Sequence, residues 1–113
     1  MKTELIRPCA DCPFRTDCRA GWLGADRAQE IADALLSDMS FSCHKTNQFG
    51  EDGETIETRD SQHCAGAMIM LEHLERPNQW MRWMERIGYY DHTKMDMNAP
   101  VFTDASDFVE HHT

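Results

Sequence analysis

The chain has 113 residues, 41% of them apolar and 27% charged, with a formal net charge of −9. That length gives one domain with a modest core, and that charge excludes a protein that grips duplex DNA or an anionic membrane by bulk electrostatics. The start, Met1 to Cys9, has no apolar run of signal-peptide length, and no stretch approaches a membrane span, so a cytoplasmic setting with reduced thiols is expected.

Residues 8–24 read as loop and turn, punctuated by Pro8, Pro13, Gly21 and Gly24. Residues 1–19 carry Lys2, Arg7, Arg15 and Arg19 against Glu4, Asp11 and Asp17, a net of +1, which leaves −10 on the remainder. This thiol-rich head is therefore the one part that is not acidic. Arginines there would screen the charge of metal-bound thiolates.

A helix is expected from about Ala25 to Ser37, with Asp26 as N-cap and Gln29 completing a capping box. Ala28, Ile31, Ala32 and Leu35 repeat at helical spacing and mark its buried face. Residues 40–44 form a candidate strand. The Asp52-Gly53 pair then predicts a turn, whose flanks at 46–49 and 55–58 would pair as a small exposed hairpin with Phe49 and Ile56 on one side. A disordered acidic loop is the alternative there.

A second helix begins near Gln62–Cys64 and runs to about Leu74, with Cys64, Ala67, Met68, Leu71 and Leu74 on one face, and Pro77 ends it. A third spans about Asn78 to Ile87, stopped by Gly88. Its Trp80, Met81, Trp83, Met84 and Ile87 suggest a core helix, and a partner surface rich in Met and Trp is the rival reading. Met95 to Thr113 reads as an acidic tail in which Thr103 could cap one last short helix. His73, His92, His111 and His112 read as surface or partner-contact residues. The fold class is thus α+β: a small metal-stapled domain of about three helices and a short β-hairpin, residues 1–113, with an acidic tail from about 95.

Five cysteines are an odd number for a disulfide framework, and Cys9-Ala10-Asp11-Cys12 with a proline on each side has the form of a metal knuckle. Zinc takes four thiolate or imidazole ligands in a tetrahedron. A Cys-x-x-Cys turn supplies two from one loop, and Cys43-His44 and His63-Cys64 offer the rest. Cys64 at a helix start meets the positive end of the helix dipole, which favours a thiolate. The small residues Ala65-Gly66-Ala67 let backbone amides approach the sulfurs. The expected ligands are Cys9, Cys12, Cys43 and Cys64, with His44, Cys18 and His63 as alternates, and the expected metal is Zn2+.

Cys9, Cys12 and Cys18 together resemble the iron–sulfur loops of some DNA glycosylases and of WhiB-like regulators, so a [4Fe–4S] cluster is the alternative cofactor. Those proteins carry a further cysteine upstream, and none precedes Cys9 here. The deaminase signature is present in the wrong order, with His73-Leu74-Glu75 after Pro8-Cys9-x-x-Cys12. No His-Glu-x-x-His and no glycine-rich phosphate loop occurs.

Three blocks, Arg7-Pro8-Cys9-Ala10-Asp11-Cys12-Pro13-Phe14-Arg15, Cys43-His44-Lys45-Thr46 and Cys64-Ala65-Gly66-Ala67, resemble a family of small cysteine-rich phage and prophage proteins with no established activity. The resemblance covers about residues 7–75 and leaves 78–113 outside. It implies a bacterial host cytoplasm, marks Cys9, Cys12, Cys43, His44 and Cys64, and leaves out Cys18. The expected function is a phage-type accessory protein with a structural metal site that binds a host or phage protein, possible forms being an acidic nucleic-acid mimic or an inhibitor. The alternatives are an iron–sulfur redox or regulatory protein and a metalloenzyme with an open zinc position.

Overall fold

A computed structural model describes residues 2–43, 48–49, 55–56 and 61–113. Four α-helices carry the fold: α1 (Ala25–Leu36), α2 (Ala65–His73), α3 (Gln79–Arg86) and α4 (Ala105–His111). A single 3-10 turn, His92–Lys94, lies between α3 and α4. Two strands of two residues each, β1 (Gln48–Phe49) and β2 (Thr55–Ile56), pair antiparallel. Their register sets Gln48 against Ile56 and Phe49 against Thr55, so Phe49 and Ile56 hold alternate register positions and not the one side expected. His44 lies outside the described residues.

The pattern read for α1 holds: Ala28, Ile31, Ala32 and Leu35 are its buried residues. Its start does not follow the capping box. Gly24 occupies the N-cap at φ 84 and its carbonyl accepts from the Ala28 N–H at 3.0 Å, while Gln29 instead bonds Asp33. That φ lies in the left-handed region, open to glycine and strained for other residues.

The second helix departs from the one-faced expectation. Every residue of α2 from Ala65 to Leu71 is buried, so it is the central rod of the core and not an amphipathic surface helix. Pro77 is not its stop. The helix closes at Leu74, and Glu75 turns the chain at φ 57, with the Arg76 N–H returning to the Leu71 carbonyl.

The core reading of α3 is corrected in the other direction. Asn78 caps it, accepting from the Met81 N–H at 2.8 Å, and Met81 is its one fully buried residue. Trp83 and Ile87 stand more than half exposed. The heavy apolar content is therefore split between an inward Met81 and an outward face.

The largest correction concerns the acidic tail. Met95, Val101, Phe102, Phe108 and His112 are buried, and α4 packs on α1. Asp104, not Thr103, caps α4, accepting from the Ser106 N–H at 2.8 Å. Phe108 stacks on Phe14 with ring centroids 4.8 Å apart, and Phe14 meets Phe41 edge-on at 5.4 Å. Residue 14, two places past the Cys-x-x-Cys turn, is thus the hub joining the head to the core. Each such ring buries a large apolar area, worth about 1.5–3 kcal/mol.

Candidate metal centre

Three extended segments and one helix start bring the thiols together. The chain at 61–64 runs between two neighbours. Lys2 bridges to Gln62 in parallel, and Ser42 bridges to His63 antiparallel. The Cys43 N–H donates to the Gln62 carbonyl and the Cys64 N–H to the Phe41 carbonyl, each at 2.7 Å. This register puts Cys43 and Cys64 on one face in diagonal positions, where Cβ atoms stand up to about 7–8 Å apart. Cys64 then becomes the N-cap of α2. On the other side, the turn closed by the Cys12 N–H on the Cys9 carbonyl delivers Cys12 into the core.

The Cys12 and Cys64 sulfurs lie 3.7 Å apart, and both residues are buried. A tetrahedral ion with metal–sulfur bonds of about 2.3 Å needs sulfurs about 3.8 Å apart, so this spacing matches one edge of a tetrathiolate site. Among the described residues, no three cysteine sulfurs lie mutually within 4.8 Å. The clustered thiols could hold a metal, and Cys12–Cys64 is a pair at ligand spacing. Cys43 is buried, Cys9 is half-buried, and none of the five cysteines is in a disulfide.

Gly66 makes the close approach possible. A Cβ at this position would stand 2.5 Å from the Cys12 sulfur and 2.9 Å from the Phe14 Cβ. With hydrogen in its place, α2 can lie against the knuckle.

The contact between the two thiols shifts their acidities in opposite directions. The Cys64 thiol donating to Cys12 lowers the Cys12 pKa, burial opposes this, and the Phe14 and Gly66 N–H groups and the Arg15 charge assist. The Cys64 pKa is pushed well up, first by its bond to Cys12, then by burial and by the negative fields of Cys12 and Cys43; the Ala67 N–H works against the rise. Within the metal-free pair Cys12 is the more acidic thiol and Cys64 the less acidic. A bound cation would remove the conflict and let both ionise.

The alternates occupy structural roles. The His63 side chain is wholly buried: its Nδ1–H donates to the Cys64 carbonyl at 3.1 Å, and Nε2 accepts from Asn78 Nδ2 at 2.9 Å and from the Phe41 N–H at 3.3 Å. Both ring nitrogens are engaged, and burial lowers its pKa to about 4. It holds the cysteine-bearing segments together. Cys18 lies elsewhere, with its sulfur 3.6 Å from the Pro13 carbonyl and 3.7 Å from His112 Nε2. Burial raises its pKa, aided by the Cys12 charge.

His111 and His112 are not the surface groups expected. His112 is fully buried, donating from Nε2 to the Pro13 carbonyl at 2.8 Å and accepting at Nδ1 from the Leu23 N–H at 3.4 Å. His111 Nε2 bonds the Cys18 carbonyl at 2.7 Å. The end of α4 therefore clamps the cysteine-rich head. Sequence reasoning missed this, and also missed Phe14. The available signal was the run Phe108…His111-His112, whose spacing places Phe108 and His112 on one helical face.

Away from the thiols, Glu85, Asp91 and His92 bring ligand atoms within 4.8 Å of one another at the end of α3, at half-buried or exposed positions. His92 Nδ1 pairs with Glu85, which raises its pKa. A cleft of about 500 Å³ opens between α3 and the N-terminal segment, walled by Trp80, Met84 and Tyr89, with Lys2, Thr3 and Glu4 opposite. Among the described residues, the Trp80 indole N–H is the one buried side-chain nitrogen or oxygen without a hydrogen-bond partner. No helix is long and apolar enough to cross a membrane.

No curated protein and no solved structure matches this chain. A family model covers residues 5–113, a region that takes in the three cysteine blocks and also α3 and α4. The chain belongs to that group, the Family of unknown function (DUF6283).

Proposed function

We propose that this protein is a metal-stapled binding module of the phage accessory type, which holds one structural zinc ion on Cys9, Cys12, Cys43 and Cys64 and acts by docking on another protein. The observation that carries the metal reading is the 3.7 Å spacing of two buried sulfurs across a glycine that alone permits it. Zinc suits this set because a closed tetrathiolate site stabilises and keeps no open position for chemistry. Cys18 takes no part, since its sulfur faces Pro13 and His112.

The docking surface in this reading is the outward face of α3 with the adjoining cleft. Trp83, Ile87 and Tyr89 are 51%, 58% and 73% exposed, and Tyr89 also lines the cleft, which is large enough for an apolar side chain. The net charge of −9 selects the partner's chemistry: a basic protein surface with an apolar anchor.

Elemental analysis of the protein purified under reducing conditions tests the metal. One equivalent of zinc is expected, lost in Cys12→Ser and Cys64→Ser and kept in Cys18→Ser. A brown protein containing iron and sulfide would replace this reading with the cluster. A pull-down from a bacterial lysate at low and high salt tests the docking. Salt-sensitive capture of a basic protein, weakened by Trp83→Ala, is expected, and capture indifferent to both would sink it.

A further inference from the structure

We infer that the thiols form a directional relay, Cys9 to Cys12 to Cys64, whose oxidised end state is a Cys12–Cys64 disulfide joining the head to the core helix. The inference concerns the same thiols as the proposed metal site, but the cross-link itself needs no metal.

Three observations point this way. The Cys12 and Cys64 sulfurs are already 3.7 Å apart. Closing them to a bond length of about 2.05 Å is a short movement for two side chains. Gly66 lets the Cys12 sulfur sit where a Cβ would stand, so the knuckle lies directly against the first turn of α2, which Cys64 caps. Exposure is graded: Cys12 is 1% exposed and Cys64 4%, while Cys9 is only half-buried. Of these three, an oxidant from solvent therefore meets Cys9 first. Cys9 and Cys12 are the ends of a four-residue turn, whose Cα atoms lie within about 7 Å, the limit of disulfide reach.

The chemistry balances with one hydroperoxide. The Cys9 thiolate attacks the outer oxygen; a sulfur–oxygen bond forms, the oxygen–oxygen bond breaks, and the alcohol or water leaves. The Cys12 thiolate then attacks the Cys9 sulfenic sulfur, forming a Cys9–Cys12 bond and expelling hydroxide, which a proton converts to water. The Cys64 thiolate finally attacks the Cys12 sulfur, and Cys9 leaves as thiolate. Two thiols are oxidised, one peroxide is reduced, and Cys9 is regenerated. A metal held by these sulfurs would be released, because the bridged pair has no thiolate left to give.

The test treats the purified, reduced protein with one equivalent of hydrogen peroxide, blocks remaining thiols with N-ethylmaleimide, and maps disulfides by tryptic mass spectrometry. The expected product is 2 Da lighter before blocking and joins the peptide containing Cys12 to the peptide containing Cys64, with fragmentation placing the bond at Cys12. Cys9→Ser should slow its formation at least tenfold, and Cys18→Ser should leave it unchanged. A product that stays at Cys9–Cys12, a bond to Cys18 or Cys43, or no disulfide would overturn the inference. The map in the unmutated chain decides the matter even if a variant fails to fold. Zinc content measured before oxidation judges the metal reading separately, so either can fail alone. If zinc is present, one equivalent should appear in solution per disulfide formed.

Discussion

Gly66 shows how much one missing side chain decides. Replacing glycine by alanine inside a helix ordinarily stabilises by about 0.5–1 kcal/mol. Here the added Cβ would stand 2.5 Å from the Cys12 sulfur and 2.9 Å from the Phe14 Cβ. The sulfur is held by its partner thiol, and Phe14 is pinned between Phe41 and Phe108, so neither yields cheaply. Overpacking of this kind costs about 1–3 kcal/mol and outweighs the helical gain. Gly66→Ala is expected to lower stability by about 1–2 kcal/mol in urea melts and to weaken metal retention; an unchanged or higher midpoint would show that the knuckle and α2 do not touch. The need for small residues after Cys64 was legible in the sequence, because sulfur sites favour close backbone approach. That Phe14 is the second contact was not legible, since its role depends on α4, nearly a hundred residues away.

At the scale of elements, the sequence was readable where a helix has two unlike faces. The α1 stripe was legible because its outer face is polar. In α2 the period vanishes because all sides are covered, and a one-faced reading assigned too little of it to the core. The region after residue 95 hid its burial because its apolar residues sit partly in irregular backbone, where no period exists to follow. His63 ties three such elements together: the 41–43 segment, its own segment through Cys64, and α3 through Asn78. Buried and neutral, it has a pKa of about 4, against 6.5 in the unfolded chain. Between those values the unfolded chain binds more protons, so stability rises with pH. The full contribution is present above about pH 6.5 and is lost as pH falls toward 4. From pH 7 to 5 the loss is about 2 kcal/mol from this residue. His63→Gln should be less stable at pH 7 but should lose about 2 kcal/mol less than the parent between the two pH values. Thiolate protonation on a metal affects both proteins alike and cancels in the difference. Equal slopes in the two urea series would mean that His63 is not the neutral clamp described.

For the whole molecule, the central question is whether the core can stand without the head. Structural zinc contributes about 10–16 kcal/mol in small domains, against a total stability of about 5–15 kcal/mol for a typical fold. If the helices formed an independent core, removing the proposed ion would melt only residues 8–24 and leave the rest intact. The structure argues otherwise, because the head is not an appendage. Phe14 is fully buried between Phe41 and Phe108, His112 holds the Pro13 carbonyl, and His111 holds that of Cys18. Freeing the knuckle removes the central ring of the aromatic stack and leaves the half-buried His111 and the buried His112 without their acceptors, the buried one costing about 1–3 kcal/mol. Those losses fall on α4 and, through its packing, on α1. Incubation with a strong chelator is therefore expected to abolish helical circular dichroism and near-ultraviolet aromatic signals in one transition, restored together by added zinc. Loss of the near-ultraviolet signal alone, with helicity kept, would show that the helical core folds independently and that the metal fixes only the head.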